Sequence, residues 1–316
     1  MSRTFGHQPV LVREVLELLR PASGGMIVDA TVGGGGHARA LLSSLDESTH
    51  LFGIDKDQAA ITAAEKVLAD YSSRVVLRRG DFRDLADLVE QEKMTSVQAV
   101  LADLGVSSPQ LDWTERGFSV HREAALDMRM DAGSTKTAAD VVNEYSEDAL
   151  ARVISHYGEE RFARRIAAAV VAARRARPIR TTTELAAIVT EAIPAATRRT
   201  GRHPARRTFQ AIRIEVNDEL GALGSLLEDA PGLLAPGGVF AVISYHSLED
   251  RMVKREMRRL ATPVPMPRGM PVAPAPAAFE LATPKAVRPA SSEREANPRS
   301  VSARLRAVRH RDGVAA

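Results

Sequence analysis

The 316-residue chain contains no cysteine. That absence excludes disulfide scaffolds, thiolate metal sites, iron–sulfur clusters and any cysteine nucleophile. Aromatic residues make up 4% of the chain, with a single tryptophan, Trp113. No stretch reaches the roughly 20 apolar residues that span a bilayer, and the opening MSRTFGHQPVLVREVLELL lacks a basic-then-apolar signal pattern. The expectation is a soluble, cytoplasmic protein with no membrane partner. At 44% hydrophobic and 26% charged residues the composition is that of a globular protein, long enough for a core domain carrying an insertion.

Charge is plentiful but unevenly placed. The net charge of +3 conceals an acidic residues 1–149, an arginine-rich 150–215, an acidic 216–250 and a basic 251–316. Residues 150–215 hold 14 cationic side chains, all of them arginine, against five acids. The guanidinium is a planar fork suited to phosphate, so a polyanionic partner is one reading and solvated helix faces the other.

The first third alternates short apolar runs with amphipathic stretches, the pattern of a parallel sheet with crossover helices. Strands are predicted at Met26–Ala30, His50–Ile54, Arg74–Leu77 and Val97–Ala102, with helices at Ala38–Leu45, Gln58–Asp70 and Asp84–Gln91. The pattern then turns helical, with candidates at Ser146–Tyr157, Glu159–Arg175, Thr182–Ile193 and Ala205–Glu228. Ser146 and Thr182 or Thr183 are the expected N-caps. Strand pattern returns at Gly238–Ser244 and Ser302–Val308. The economical arrangement is a doubly wound α/β domain formed by residues 1–110 and 211–316, interrupted by a helical domain at 111–210. Nine of the 17 prolines fall between Thr262 and Arg299, which predicts an extended, mobile loop over 262–299.

Asp29-Ala-Thr-Val-Gly33-Gly34-Gly35-Gly36-His37 follows the first strand and opens the first helix of the sheet. Glycines there let backbone approach a ligand and expose helix N-terminal amides. A carboxylate or an acidic–aromatic pair recurs at the next strand ends: Asp55, where it can accept both hydroxyls of a ribose, Asp81-Phe82, where it can bracket an adenine, and Asp103. Each acid taken alone can be a helix N-cap. The series points to an adenosine-containing ligand at the crevice where such folds bind ligands. The spacing D-x-x-x-G-x-G resembles the S-adenosylmethionine loop of class I methyltransferases; a nicotinamide-dependent oxidoreductase is the alternative. After Asp103 come Ser107, Ser108, Pro109 and Gln110, similar to the S/N/D-P-P-aromatic motif of methyltransferases that modify exocyclic base amines. Such an amine is poorly nucleophilic because its lone pair is delocalised into the ring, and hydrogen-bond acceptors around it localise that pair for in-line attack. Asp103, Ser107, Ser108 and Pro109 are therefore the candidate catalytic residues, and no metal is expected.

The strings Thr31-Val-Gly-Gly-Gly-Gly-His37, Asp103-Leu-Gly-Val-Ser-Ser-Pro-Gln-Leu111, Glu115-Arg-Gly-Phe-Ser119, Leu126-Asp-Met-Arg-Met-Asp131, Tyr157-Gly-Glu-Glu-Arg-Phe-Ala163, Arg207-Thr-Phe-Gln-Ala211 and Ser244-Tyr-His-Ser-Leu-Glu-Asp-Arg251 closely resemble the bacterial MraW/RsmH family. The resemblance runs from His7 to about Arg309. It implies a class I methyltransferase fold with a helical insertion, S-adenosylmethionine as cofactor, and methylation of N4 of a decoding-centre cytosine in 16S ribosomal RNA, within the small subunit, with no DNA partner. It further implies that Gly35, Gly36 and His37 hold the methionine end, Asp55 the ribose and Phe82 the adenine, with Asp103 and Gln110 completing the pocket. Two departures stand out: Gly34 where an arginine is common, and Tyr245 where phenylalanine is usual.

Arg198, Arg199, Arg202, Arg206 and Arg207 surround a turn at Gly201–Pro204 and are the candidate RNA phosphate contacts. His246 is either a substrate contact or the residue that fixes the following helix. His7 and Trp113 each admit a structural and a functional reading. Glu159, Glu160, Arg161, Arg164 and Arg165 are expected on one helix, as ion pairs. A non-catalytic RNA-binding protein is the rival from another class; it accounts for the basic segments but not for the strand-end carboxylates.

Overall fold

Apolar side chains alternate along the strands and send successive residues into two separate cores, which is what a parallel sheet covered on both faces requires. In the computed structural model of the protein, which describes residues 9–105, 116–197, 203–263 and 275–313, Ile27, Leu51, Ala99 and Val239 join one core. Their neighbours Val28, Phe52, Val100 and Phe240 join the other. The elements run α1 (Val12–Leu19), β1 (Met26–Asp29), α2 (Gly36–Ser44), β2 (His50–Asp55), α3 (Gln58–Val67), β3 (Val75–Arg79), α4 (Leu85–Gln91) and β4 (Val97–Asp103). Then come α5 (Ala138–Glu144), α6 (Glu147–Gly158), α7 (Ala163–Ala176), α8 (Thr182–Ala192) and α9 (Arg206–Asn217). Last are α10 (Glu219–Leu233), β5 (Leu234–Ser244), α11 (Ser247–Leu260), β6 (Phe279–Leu281), α12 (Ser291–Ala296) and β7 (Arg304–His310).

Two compact units result, one from residues up to Gly105 together with Leu220 onward, the other from Val106–Glu219. The first is a seven-stranded sheet in the order β3-β2-β1-β4-β5-β7-β6. Strands β1 to β5 pair in parallel, and β7 runs antiparallel to β5 and β6. Strand order reverses between β1 and β4, so the ends of these strands flank the crevice of a doubly wound fold. Leu11, Val15, Leu19, Ala38, Leu41 and Ile61 cover one face; Leu85, Val89, Leu223, Leu226, Val253 and Met257 cover the other.

The second unit is helical, and its core gathers Phe118, Leu126, Val141, Leu150, Ile154, Ile166, Val170, Leu185, Phe209 and Ile212. Its limits lie a few residues outside the expected 111–210, because the apolar face of α9 (Phe209, Ile212, Val216) belongs to this core. Among the described residues no helix is long and apolar enough to cross a membrane.

Several elements differ from the sequence expectation. The single helix over 205–228 is two, since Asp218 takes φ +47 at the end of α9. Glu159 likewise takes φ +48 and ends α6, so Glu159 and Glu160 do not share a helix with Arg164 and Arg165. Glu160 is buried and accepts a hydrogen bond from Phe162 N at 3.0 Å. Thr181, not Thr182 or Thr183, caps α8 in a reciprocal box with Glu184. Thr182 instead bridges Ala124 N and Arg122 O. The proline-rich stretch is not one extended loop: it holds β6 and α12, and Val287 pairs with Leu305. Residues 264–274 of that stretch lie outside the described residues, as do His7 and Trp113.

Candidate functional site

The turn after β1 is shaped by backbone conformations that side chains resist. Gly35 caps α2 at φ +81, and Gly33 stands at φ +52. A Cβ on Gly35 would reach van der Waals contact with Ala64, Val67 and Leu68 of the segment after β2 at 3.4 Å, so it is the positive φ that favours glycine there. The turn is tied to the next strand, with Val32 N donating to Ile54 O at 2.9 Å and Gly33 N donating to Asp55 Oδ2 at 3.0 Å.

Three carboxyls stand at successive strand ends around this turn. Asp29, 1% exposed, ends β1 and accepts from Thr31 N at 3.2 Å. Burial pushes its pKa up to about 7; His37 and the Thr31 hydrogen bond oppose the shift, while Asp103 and Asp55 add to it. Asp55 ends β2 and also accepts from Asp57 N, at 2.8 Å through Oδ1. Burial raises it to about 6 against those backbone hydrogen bonds. Each Asp55 oxygen retains a second lone pair, so the group can still accept from a diol.

Asp103 ends β4 and is held from three sides. Its amide donates to Thr31 Oγ1 at 2.6 Å, and the Tyr245 hydroxyl donates to its Oδ1 at 2.7 Å. Oδ2 lies 3.6 Å from His37 Nδ1. His37 Nε2 donates to Val10 O at 2.8 Å, which orients the ring. Burial and the Asp103 charge hold the Tyr245 phenol well above its ordinary pKa, so it keeps its proton and serves Asp103 as a donor. Gly105, at φ +119, makes room for the ring: a Cβ there would lie 3.1 Å from Tyr245 Cδ2. Phe82 opens a short turn after β3, capped by Asp81, and packs half-buried against the core that contains Ile54 and Leu85.

The structure thus brings Gly35, Gly36, His37, Asp55 and Asp103 to the ends of adjacent strands, with Phe82 beyond β3. Ser107, Ser108, Pro109 and Gln110 lie outside the described residues. So do Arg198, Arg199 and Arg202. Arg206 begins α9, while Arg207 turns back to donate to Glu159 O at 3.2 Å, 4.0 Å from Glu160. His246 caps α11: Glu249 N points at its Nδ1, and Glu249 accepts from the amides of Tyr245 and His246. Its Nε2 stands 3.1 Å from Glu249 Oε1 but is not aligned for a hydrogen bond, and has no other partner among the described residues.

Sequence reasoning singled out neither Thr31 nor Tyr245 as a support of Asp103. The signal for Tyr245 was its hydroxyl where phenylalanine is usual, at the end of the strand next to β4.

The model of the MraW methylase family matches residues 4–311. The ribosomal RNA small subunit methyltransferase H of Symbiobacterium thermophilum is 52% identical over 307 residues, covering 96% of each chain. The protein of the same name from Brevibacillus brevis is 45% identical, covering 96% of this chain and 97% of its own. Among solved structures, an rRNA methylase from Streptococcus thermophilus aligns over 99% of both chains at 13% identity with a TM-score of 0.39. With a family model matched almost end to end and about half its residues shared with full-length relatives, the chain belongs to the MraW methylase family of S-adenosylmethionine-dependent methyltransferases.

Proposed function

We propose that the protein methylates ribosomal RNA of the small subunit, and that the acceptor is N4 of a decoding-centre cytosine in 16S rRNA. The observation that carries the reading is the fixed carboxylate of Asp103 at the end of β4, directly before Leu104-Gly-Val-Ser-Ser-Pro-Gln. The residues present fit the cofactor. Asp55 has carboxylate lone pairs for the ribose hydroxyls, Phe82 offers a ring for the adenine, and the glycine turn leads into the N-terminus of α2, whose first-turn amides suit the methionine carboxylate. His37 stands in the first turn of α2, and the family resemblance assigns Gln110, outside the described residues, to the same pocket. When bound, S-adenosylmethionine supplies an electrophilic methyl carbon whose departing electron pair remains on sulfur.

The chain's own groups then have to make a weak nucleophile attack. Asp103, held through Oδ1 by the Tyr245 hydroxyl, offers its carboxylate as the acceptor for an amine N–H. An ionised acceptor pulls the amine out of conjugation with the ring more strongly than a neutral one. Ser107, Ser108 and Pro109 follow within six residues and supply further acceptors on the same segment. The absence of cysteine agrees with direct transfer to nitrogen, since ring-carbon methylation of cytosine runs through a thiolate adduct.

The test is transfer of radiolabelled methyl from S-adenosylmethionine to small subunits lacking the modification, followed by nucleoside analysis. The expected product is N4-methylcytidine, and Asp103→Ala is expected to abolish its formation. Label recovered only as a ring-carbon-methylated nucleoside would refute the amine mechanism.

A further inference from the structure

The helical unit carries a row of arginines that its own fold does not use. Helix α7 holds four arginines and no acid. Ala163, Ile166, Ala167 and Val170 bury one face in the core of the unit. The opposite face presents Arg164, Arg165, Ala168, Ala172 and Arg175, all exposed. Arg174 points elsewhere and donates to the carbonyls of Val142 and Tyr145, closing the end of α5. Arg164, Arg165 and Arg175 have neither an ion pair nor a hydrogen bond among the described residues.

Two acids of the same unit are already committed. Glu184 binds Arg177 at 2.5 Å and the amide of Arg180 at 2.8 Å, and Glu160 is buried at the start of the preceding turn. Positions 168 and 172 are where an acid would sit one turn from these arginines and quench their charge. Both hold alanine instead, so the repulsion is left standing and the ridge between the two arginine groups stays low. Ten residues of helix separate Arg165 from Arg175, about 15 Å at 1.5 Å per residue. We propose that this face of α7 is a docking ridge for an RNA phosphate backbone, which descends onto the alanines while the arginines at either end grip phosphates by bidentate hydrogen bonds. The proposal rests on small-subunit rRNA being the substrate.

The experiment compares full-length wild type with the triple variants R164Q/R165Q/R175Q and R164K/R165K/R175K. Binding to protein-free 16S rRNA and to unmodified small subunits is measured from low to high salt, with cofactor affinity by calorimetry alongside. The glutamine triple should lower the slope of log K against log salt by about two to three units, the lysine triple should retain most of the slope, and cofactor affinity should not change. A glutamine triple with the wild-type slope, in a protein whose wild type binds and methylates the subunit, overturns the ridge alone. A loss seen with small subunits but not with protein-free rRNA overturns the RNA assignment in favour of a ribosomal protein. Wild-type protein that neither binds nor methylates the subunit overturns the substrate reading, and the ridge with it.

Discussion

Asp29 and Asp55 keep their protons to higher pH in the folded protein than in the unfolded chain, because burial lifts them from the ordinary carboxylate range to about 7 and about 6. The folded state therefore binds more protons between the unfolded and folded values. For these groups stability is fully present at low pH and is lost as pH rises from about 4 to about 7, at up to about 1.4 kcal/mol per pH unit for each group. Asp29→Asn removes one of the two contributions. Melting of the cofactor-free protein at pH 4.5 to 7.5 should show the variant gaining on wild type as pH rises, and parallel curves would mean that Asp29 is ionised throughout. Asp55 has a second duty. Its replacement by alanine removes charge-assisted bonds to the ribose and should weaken cofactor binding by roughly 1.5–3 kcal/mol in calorimetry. Unchanged affinity would take Asp55 out of the pocket. At this scale the acids were legible because each ends an apolar run. The Tyr245–Asp103 bond was not, since it joins positions 142 residues apart and no local pattern encodes it.

Among the elements, β1 to β4 could be read from the sequence because a strand covered on both faces is a short apolar run bounded by turn residues. The helix breaks could not. Glu159 occupies left-handed backbone with a side chain that ordinarily continues a helix, so only tertiary packing selects that conformation there, whereas Asp218 is of a type that enters it more readily. Strand β6 was hidden for a similar reason: its partners lie on β7, and the prolines around it predict a loop. The segment after β4 shows how tightly an element end can be specified. Gly105 combines φ +119 with contact against the Tyr245 ring. Gly105→Ala should therefore cost about 1–3 kcal/mol in urea unfolding. A Gly105→Ala protein as stable as wild type would show that the turn can relax without cost.

For the whole molecule, charge is segregated along the chain rather than between the two units. The sheet unit carries 25 cationic and 24 acidic side chains and the helical unit 18 and 16, and 14 of those 18 cations are the arginines of residues 150–215. Arg198, Arg199 and Arg202 should act on the same salt dependence as the α7 ridge. Replacing the three together should flatten the slope for subunit methylation by about two to three units while leaving cofactor affinity intact. Wild-type salt dependence in that variant would identify these arginines as a solvated face. The change of periodicity in the sequence marks where the helical stretch begins, and the core that claims α9 sets where the second unit ends.

The discontinuity of the sheet unit also dictates an order of events during synthesis. Strand β4 leaves the ribosome with its β1 side ready to pair, but its other neighbour, β5, begins 131 residues after β4 ends. Everything the helical unit needs lies inside that interval, so it can fold while its host is still half a sheet with an open edge. Closure comes later still. The amide of Leu11, at the start of α1, donates to Glu293, 282 residues further on, at 2.8 Å, so a segment among the first to be made is among the last to be fastened.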